Sequence, residues 1–263
     1  MNIGIIGCGH MGSAIAKALL NKKMGKVFAS NKTRPHIELS PAQKNNFEWT
    51  LDNVDIVDNC DLICLAVRPS DVKEILAKIK KGLKNKILIS IAAGISLKKL
   101  SAWSGGYKKI VRVMPNLPAQ VGEGMSVWKS ASKLSGADKK LVEDFLNSFG
   151  KSLEVDDEKL IDIATAVSGG GPAYTAAFLE CMADACEKIG FKKDAARELA
   201  LQTVIGSANY IKETGAEFSL LKKIVQTKGG TTEAGFKVLK KKKWQGTLKK
   251  AFFAGYKRAQ KLK

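Results

Sequence analysis

Two short glycine-rich segments stand near opposite ends of this 263-residue chain. Gly7 to Gly12 reads GCGHMG and follows the apolar run Asn2 to Ile6. Gly229 to Thr232 reads GGTT and precedes a helical pattern near the C-terminus. Glycines at a helix start let the backbone approach an anion closely, and the unpaired N–H groups and dipole of that helix end favour negative charge. The first segment has the G-x-G-x-x-G spacing between a strand and a helix. There Gly7 permits the tight turn, Gly9 lets a pyrophosphate reach the backbone, and Gly12 lets helix and strand pack closely. The second segment suits a smaller anion such as a carboxylate. The competing use of its threonine hydroxyls is to cap their own helix.

Cofactor choice is read at the end of the second strand, where an NAD site places Asp or Glu against the ribose 2′-hydroxyl. Here the chain reads Ser30-Asn31-Lys32-Thr33-Arg34, with no carboxylate until Glu38. Neutral and basic donors suit a 2′-phosphate, which a carboxylate would repel. NADPH is therefore the expected hydride donor, with NADH as the second. The competing reading leaves Lys32 and Arg34 as ordinary exposed residues.

Other chemistries are poorly served. The only histidines, His10 and His36, lie in the first half, so a Ser-His-Asp or Cys-His site in the second half has no base. No G-x-x-x-x-G-K-S/T phosphate loop occurs. The five cysteines are odd in number and form no C-x-x-C pair, so neither a disulfide framework nor a metal site is expected. They read as small buried hydrophobes of a reducing compartment. Net charge is +19, but the lysines are spread along the chain and no base-stacking motif accompanies them. Nucleic acid is not an expected partner, and Lys240 to Lys243 reads as a solvated helix end. No apolar run approaches the roughly 18 residues of a membrane span. The N-terminal MNIGIIGCG lacks the pattern of a signal peptide, which points to a cytoplasmic protein. What remains is hydride transfer, which needs alignment and charge complementarity more than acid–base groups. An imine is the easier acceptor, because an iminium arrives already protonated.

The elements that must position these residues follow from hydrophobic pattern. Asn2 to Ile6, Lys26 to Ser30, Leu62 to Val67, Ile87 to Ile91 and Ile110 to Val113 read as strands. Helical patterns at Gly12 to Lys22 and Asp71 to Lys81 alternate with them. The fold class is therefore α/β: an N-terminal Rossmann-type doubly wound parallel sheet followed by an all-α dimerisation domain. The boundaries are 1–152 for cofactor binding and 153–263 for helical dimerisation and substrate binding. After Gly150 no strand pattern recurs. Helices are expected at Ala173 to Ile189, Asp194 to Glu213, Phe218 to Val225, after Thr232, and at Gln245 to Lys261. The first of these, AYTAAFLECMADACEKIG, is apolar around much of its circumference. A helical domain of this size has little interior to bury it, so a homodimer is expected.

Seven segments in order carry a family resemblance: IGCGHMG, LAVRPSDV, SIAAGIS, VRVMPNLPAQVGEG, AVSGGGPAY, QTVIGSA and KGGTTEAGFKVL. Together they resemble pyrroline-5-carboxylate reductase, which makes L-proline from 1-pyrroline-5-carboxylate with NADPH or NADH. The resemblance implies dimers, often assembled into larger rings, with the active site built where two subunits meet. It assigns the pyrophosphate to Ile6, Gly7, Cys8, Gly9, His10 and Met11, next to Gly12. Asn31 and Thr33 fall at the 2′-phosphate together with Arg34, and Asn53 on the adenosine side. Ala66, Val67, Arg68 and Pro69, then Ala92, Ala93 and Gly94, line the cofactor groove, and Asn116 lies near the nicotinamide.

On the substrate side the resemblance implies that Ser168 flanks the active site and that Glu158 is close to a substrate-side acid. From the sequence alone these are a helix start and a surface helix cap. Gly229, Gly230 and the backbone of Thr231 and Thr232 would hold the substrate carboxylate, with the Thr227 hydroxyl nearby. Thr232 takes the catalytic role, against the ring nitrogen. Departures from the family pattern are Leu117, Gly170, the Thr227-Lys228 pair and Ile224, none of which removes a group that hydride transfer requires. The alternatives are a reductase of another cyclic imine, a β-hydroxy-acid enzyme or a cofactor-binding regulator. The hydroxy-acid route needs a helical lysine, and the helix after Pro172 has none before Lys188.

Overall fold

Residues on alternate sides of the short apolar runs enter two different cores. In the computed structural model, which describes residues 1–33 and 37–261, Ile3 and Ile5 pack with Ile15 and Leu19 on one side of the sheet. Ile6, Ile63 and Leu65 pack with Ile56, Val72 and Leu76 on the other. A strand buried on both faces must be apolar throughout, which is why these runs lack alternation.

The first elements are β1 (Asn2–Ile6), α1 (His10–Asn21), β2 (Lys26–Ser30), α2 (Pro41–Lys44), β3 (Phe47–Thr50) and α3 (Asn53–Asn59). Then come β4 (Leu62–Leu65), α4 (Pro69–Ile79), β5 (Ile87–Ser90), α5 (Leu97–Trp103) and β6 (Ile110–Met114). β7 (Gly124–Ser130), α6 (Gly136–Asn147), β8 (Gly150–Glu154) and α7 (Lys159–Ala164) follow, and α7 runs into a π-helical turn at Thr165–Gly169. The sheet order is β3-β2-β1-β4-β5-β6-β7-β8, and every neighbouring pair is parallel except β6 with β7. The order reverses between β1 and β4, and a doubly wound sheet opens its ligand crevice beyond the carboxyl ends of the strands at that point.

Three strands depart from the sequence expectation. β3, β7 and β8 had no apolar run to mark them, and β8 lies after Gly150, where no strand was expected. β3 and β8 are the two edges of the sheet, so their side chains are half-buried or exposed. The division into compact units also falls later than the expected 152/153 boundary. One unit is Met1–Gly170 together with the chain from Gly255 onward, and the other is Gly171–Ala254. α7 stays with the first because Ile161 and Ala164 pack on Val127 of β7.

The second unit holds α8 (Gly171–Ile189), α9 (Lys193–Thr214), α10 (Phe218–Val225), α11 (Thr231–Lys241) and the first turns of α12 (Trp244–Gln260). α8 packs against α9, and the Tyr174 and Phe252 rings meet edge to face at 5.0 Å. Among the described residues of this unit only Ala196 and Ala200 are buried. Phe178, Ile189, Phe218 and Phe253 are each more than half exposed. No helix among the described residues is long and apolar enough to cross a membrane.

Cys8, Cys60 and Cys64 are buried as expected, whereas Cys181 is exposed and Cys186 half-exposed, because α8 has no buried residue. Burial pushes the Cys8 thiol up to about 11, and the Cys60 and Cys64 thiols up to about 12, from an ordinary 9.0. An unfolded chain releases these protons near pH 9 and the folded chain holds them, so their stabilisation is complete below pH 9. It drains away as pH rises towards 11–12, at up to about 1.4 kcal/mol per pH unit for each thiol. Urea midpoints measured between about pH 8 and about pH 10.5 should therefore fall, and Cys64→Ala should flatten that slope.

Candidate active site

The cofactor loop is built by contacts that only glycine tolerates. Gly7 has φ +95°, and a Cβ there would lie 2.5 Å from Val67 Cγ1 and 2.7 Å from the Ala66 carbonyl oxygen. A Cβ on Gly12 would lie 2.0 Å from the Gly7 carbonyl oxygen. Gly9 differs, since a Cβ there would meet nothing within 4 Å. Gly9 is also the N-cap of α1, with no side-chain cap and no acidic residue in the first turn. An open N-terminus beside bare backbone is what a pyrophosphate needs, so these residues fit the group. Cys8 is 4% exposed and offers only its backbone, Met11 packs into the core, and His10 is exposed at the first helical position.

A cleft of about 430 Å³ opens beside this loop and is lined in part by Ile6, Gly7, Gly9, Asn31, Asn53 and Arg68. Ala66 and Val67 also reach it, and Ser30 donates from its hydroxyl to Asn53 Oδ1 at 2.6 Å. Asn31 Nδ2 donates to the Thr33 carbonyl at 3.1 Å, which holds the turn that carries Lys32. Arg34 lies outside the described residues. Pro69 begins α4. Asp71, Glu74 and Lys78, one face of that helix, line the same cleft and were not anticipated. Their i, i+3, i+7 spacing was the available signal. Asp71 pairs with Arg68 at 3.4 Å and Glu74 with Lys78 at 2.8 Å. The Ser70 hydroxyl, and then Arg68 and Lys32, hold the Asp71 carboxyl below its usual range.

The loop geometry separates two substitutions. Gly12→Ala should disrupt the β1–α1 turn and lower the melting temperature, because backbone must move. Gly9→Ala should leave the melting temperature unchanged and still weaken NADPH binding tenfold or more, roughly the effect of a displaced charge-assisted hydrogen bond. Thermal melts and cofactor titration by fluorescence check both.

Further along the same strand ends lie Ala92, Ala93 and Gly94, after β5, and Asn116, after β6. Asn116 is fully engaged: its Oδ1 accepts the Met125 N–H at 2.8 Å, and its Nδ2 lies 3.3 Å from both the carbonyl and the hydroxyl of Ser168. Two expected site residues are thus brought together, with Ser168 in the π-helical turn, a rare conformation often found at functional sites. Glu158 precedes α7 but makes no cap hydrogen bond, contrary to the surface-cap reading. Its Oε1 instead accepts from Arg112 Nη1 at 2.7 Å and from the Leu97 N–H at 2.8 Å. Arg112 is 2% exposed and also donates to Asp162 Oδ1 at 2.9 Å. This arginine was missed, although its place in the apolar strand VRV was a sign that a buried partner must exist.

In the second unit the GGTT segment forms a left-handed turn and a helix start. Gly229 has φ +75° and Gly230 is the N-cap of α11, so Thr231 and Thr232 are its first two residues. Neither threonine caps the helix, and among the described residues neither hydroxyl has a hydrogen-bond partner. Thr232 is half-buried and Thr231 exposed. Gly230 donates its N–H to the Thr227 carbonyl at 3.1 Å, and the Thr227 hydroxyl occupies the place where a Gly230 side chain would go.

Residues 158–262 match the family described as pyrroline-5-carboxylate reductase dimerisation, and residues 2–94 match NADP oxidoreductase, coenzyme F420-dependent. The pyrroline-5-carboxylate reductase of Arabidopsis thaliana is 36% identical over 99% of this chain and 95% of its own. That of Aquifex aeolicus is 36% identical over 100% and 97%. This chain belongs to the pyrroline-5-carboxylate reductase family. It is an oxidoreductase, and the α/β order of its elements is that of the family. The crystal structure of Plasmodium falciparum pyrroline carboxylate reductase with NADP bound superposes with a TM-score of 0.89. It is 34% identical over 100% of this chain and 98% of that one. In pyrroline-5-carboxylate reductase terms, the second unit lies within the region matched as the dimerisation domain, which accounts for its exposed apolar side chains.

Proposed function

We propose that this chain reduces 1-pyrroline-5-carboxylate to L-proline, the final step of proline biosynthesis, with NADPH as the donor and NADH as the second. Family membership and the fit of the glycine loop to a pyrophosphate support the reading. The observation that carries it is that one chain holds both that loop and a second, uncapped helix start at Gly229–Thr232, suited to a carboxylate. NADPH, when bound along the first cleft, would supply the hydride to the imine carbon. The Gly7–Gly12 backbone orients the phosphates, Asn31, Lys32 and Thr33 face the 2′-phosphate, and Asn53 serves the adenosine side.

The N–H groups of Thr231 and Thr232 hold the substrate carboxylate, and the Thr232 hydroxyl is set against the ring nitrogen. As hydride adds, the C=N π pair moves onto that nitrogen. Its proton arrived with the iminium, so a hydrogen-bonding hydroxyl suffices and no strong acid is required. Glu158 acts at a distance, through Arg112 and Leu97. Deuterium on the transferred position of NADPH should appear once in the proline ring, by mass spectrometry. Unlabelled proline would overturn the reading.

The active form is proposed to be a cytoplasmic homodimer through the second unit, assembling into a larger ring. The exposed Phe178, Ile189, Phe218 and Phe253 support it, since apolar surface of this extent marks an interaction face. Light scattering should give at least twice the 28.4 kDa of the chain, and a monomeric mass would contradict it.

A further inference from the structure

The start of α11 is a capping box with one half missing. In a full box the N-cap side chain accepts an N–H of the first turn while the acidic residue at the third helical position reaches back to the backbone before the helix. Here that third residue is Glu233, and its Oε2 accepts the Gly229 N–H at 2.9 Å. The bond reaches one residue further back than usual because the Gly230 N–H is already taken by the Thr227 carbonyl. The other half is absent: the N-cap is Gly230, which has no oxygen to offer. A Cβ at Gly230 would fall 2.6 Å from the Thr227 hydroxyl oxygen, so the bare N-cap is built into the packing. Ala234 is the first residue whose N–H finds a helical carbonyl, that of Gly230. The N–H groups of Thr231, Thr232 and Glu233 have no acceptor among the described residues. Lys237 lies 3.5 Å from the same Glu233 oxygen and offsets its charge.

We propose that Glu233 is a positioning residue for the substrate: it fills the outer N–H of this turn and so directs the substrate carboxylate onto the inner ones. The substrate then supplies the oxygen that the N-cap lacks. This rests on the reading that Gly229–Thr232 binds the carboxylate, and it adds how that turn is held ready. Without Glu233 the left-handed Gly229 is free to rotate its N–H into the site and compete for the same anion. A side chain whose only duty is to stabilise α11 would alter melting and leave substrate affinity alone.

The test is steady-state kinetics of Glu233→Ala and Glu233→Gln with 1-pyrroline-5-carboxylate and NADPH. Glu233→Ala should raise the KM for the imine about tenfold, while kcat and the KM for NADPH stay within about threefold. Glu233→Gln keeps an acceptor for the Gly229 N–H and removes a negative charge beside the substrate, so its KM should equal or fall below that of the native protein. An unchanged KM in Glu233→Ala overturns the proposal, as does equal impairment of both variants or an equal rise in both KM values. Thr232→Ala in the same assay separates the two levels of inference. If it too is unaffected, the placing of the imine ring against this turn is wrong. If Thr232→Ala is disabled beside a normal Glu233→Ala, only the role of Glu233 falls.

Discussion

Thr232→Ala is expected to lower kcat with 1-pyrroline-5-carboxylate by about one to three orders of magnitude, the range of a lost transition-state hydrogen bond. Two structural facts make the expectation specific. Thr232 is the second residue of α11, where its backbone N–H has no helical carbonyl to donate to. Its hydroxyl is not used as a cap, because the N-cap position belongs to Gly230. The loss should therefore appear in kcat, where the nitrogen changes its bonding, with a smaller effect on the KM for NADPH. Thr232→Ser should keep most of the activity, since it retains the hydroxyl. Thr231→Ala changes an exposed side chain and should cost far less. Single-turnover oxidation of NADPH separates the chemical step from product release, and a native rate in Thr232→Ala would remove its catalytic assignment.

Arg112→Leu is expected to destabilise the first unit by about 3–5 kcal/mol, the usual consequence of removing one partner from a buried ion pair. Glu158 and Asp162 would both lose the guanidinium, and Asp162 has a side chain only 2% exposed. The size of the loss reflects this desolvation more than the strength of the pair itself. Adding Glu158→Gln and Asp162→Asn to Arg112→Leu removes both carboxylate charges that faced the guanidinium, so it should recover a large part of the stability. Urea unfolding of the single and triple variants measures both effects. A single variant within about 1 kcal/mol of the native protein would mean that the triad is not held as described. The triad also bears on the site, because Glu158 holds the first turn of α5 just after Ala92–Gly94.

What could be read in the sequence follows from where each residue finds its partner. β1, β4 and β5 were legible because parallel strands buried on both faces are apolar nearly throughout, and β2 and β6 by the apolar residues that dominate KVFAS and IVRVM. β3 and β8 were not, since an edge strand keeps a polar or exposed face and writes only a faint pattern, as in FEWT and GKSLE. Gly7, Gly9 and Gly12 were legible because their duty is local, set by a turn and by close packing within a few residues. The Arg112 triad was illegible because its partners lie 46 and 50 residues away. Glu158 shows the same limit, since its neighbours in sequence suggested a cap while its actual partners came from β6 and α5. The cap of α11 was a local question that sequence left open. Gly230, rather than either threonine, takes that position.

The glycine loop and the GGTT turn are proposed to serve one reaction, the reduction of a cyclic imino acid by a nicotinamide donor. Its most direct test is to mix the purified chain with NADPH and 1-pyrroline-5-carboxylate and follow the nicotinamide absorbance while proline is quantified, with NADH in parallel. NADPH should be consumed one for one with proline formed, and faster than NADH at equal concentration. No oxidation of either donor in the presence of the imine would contradict it.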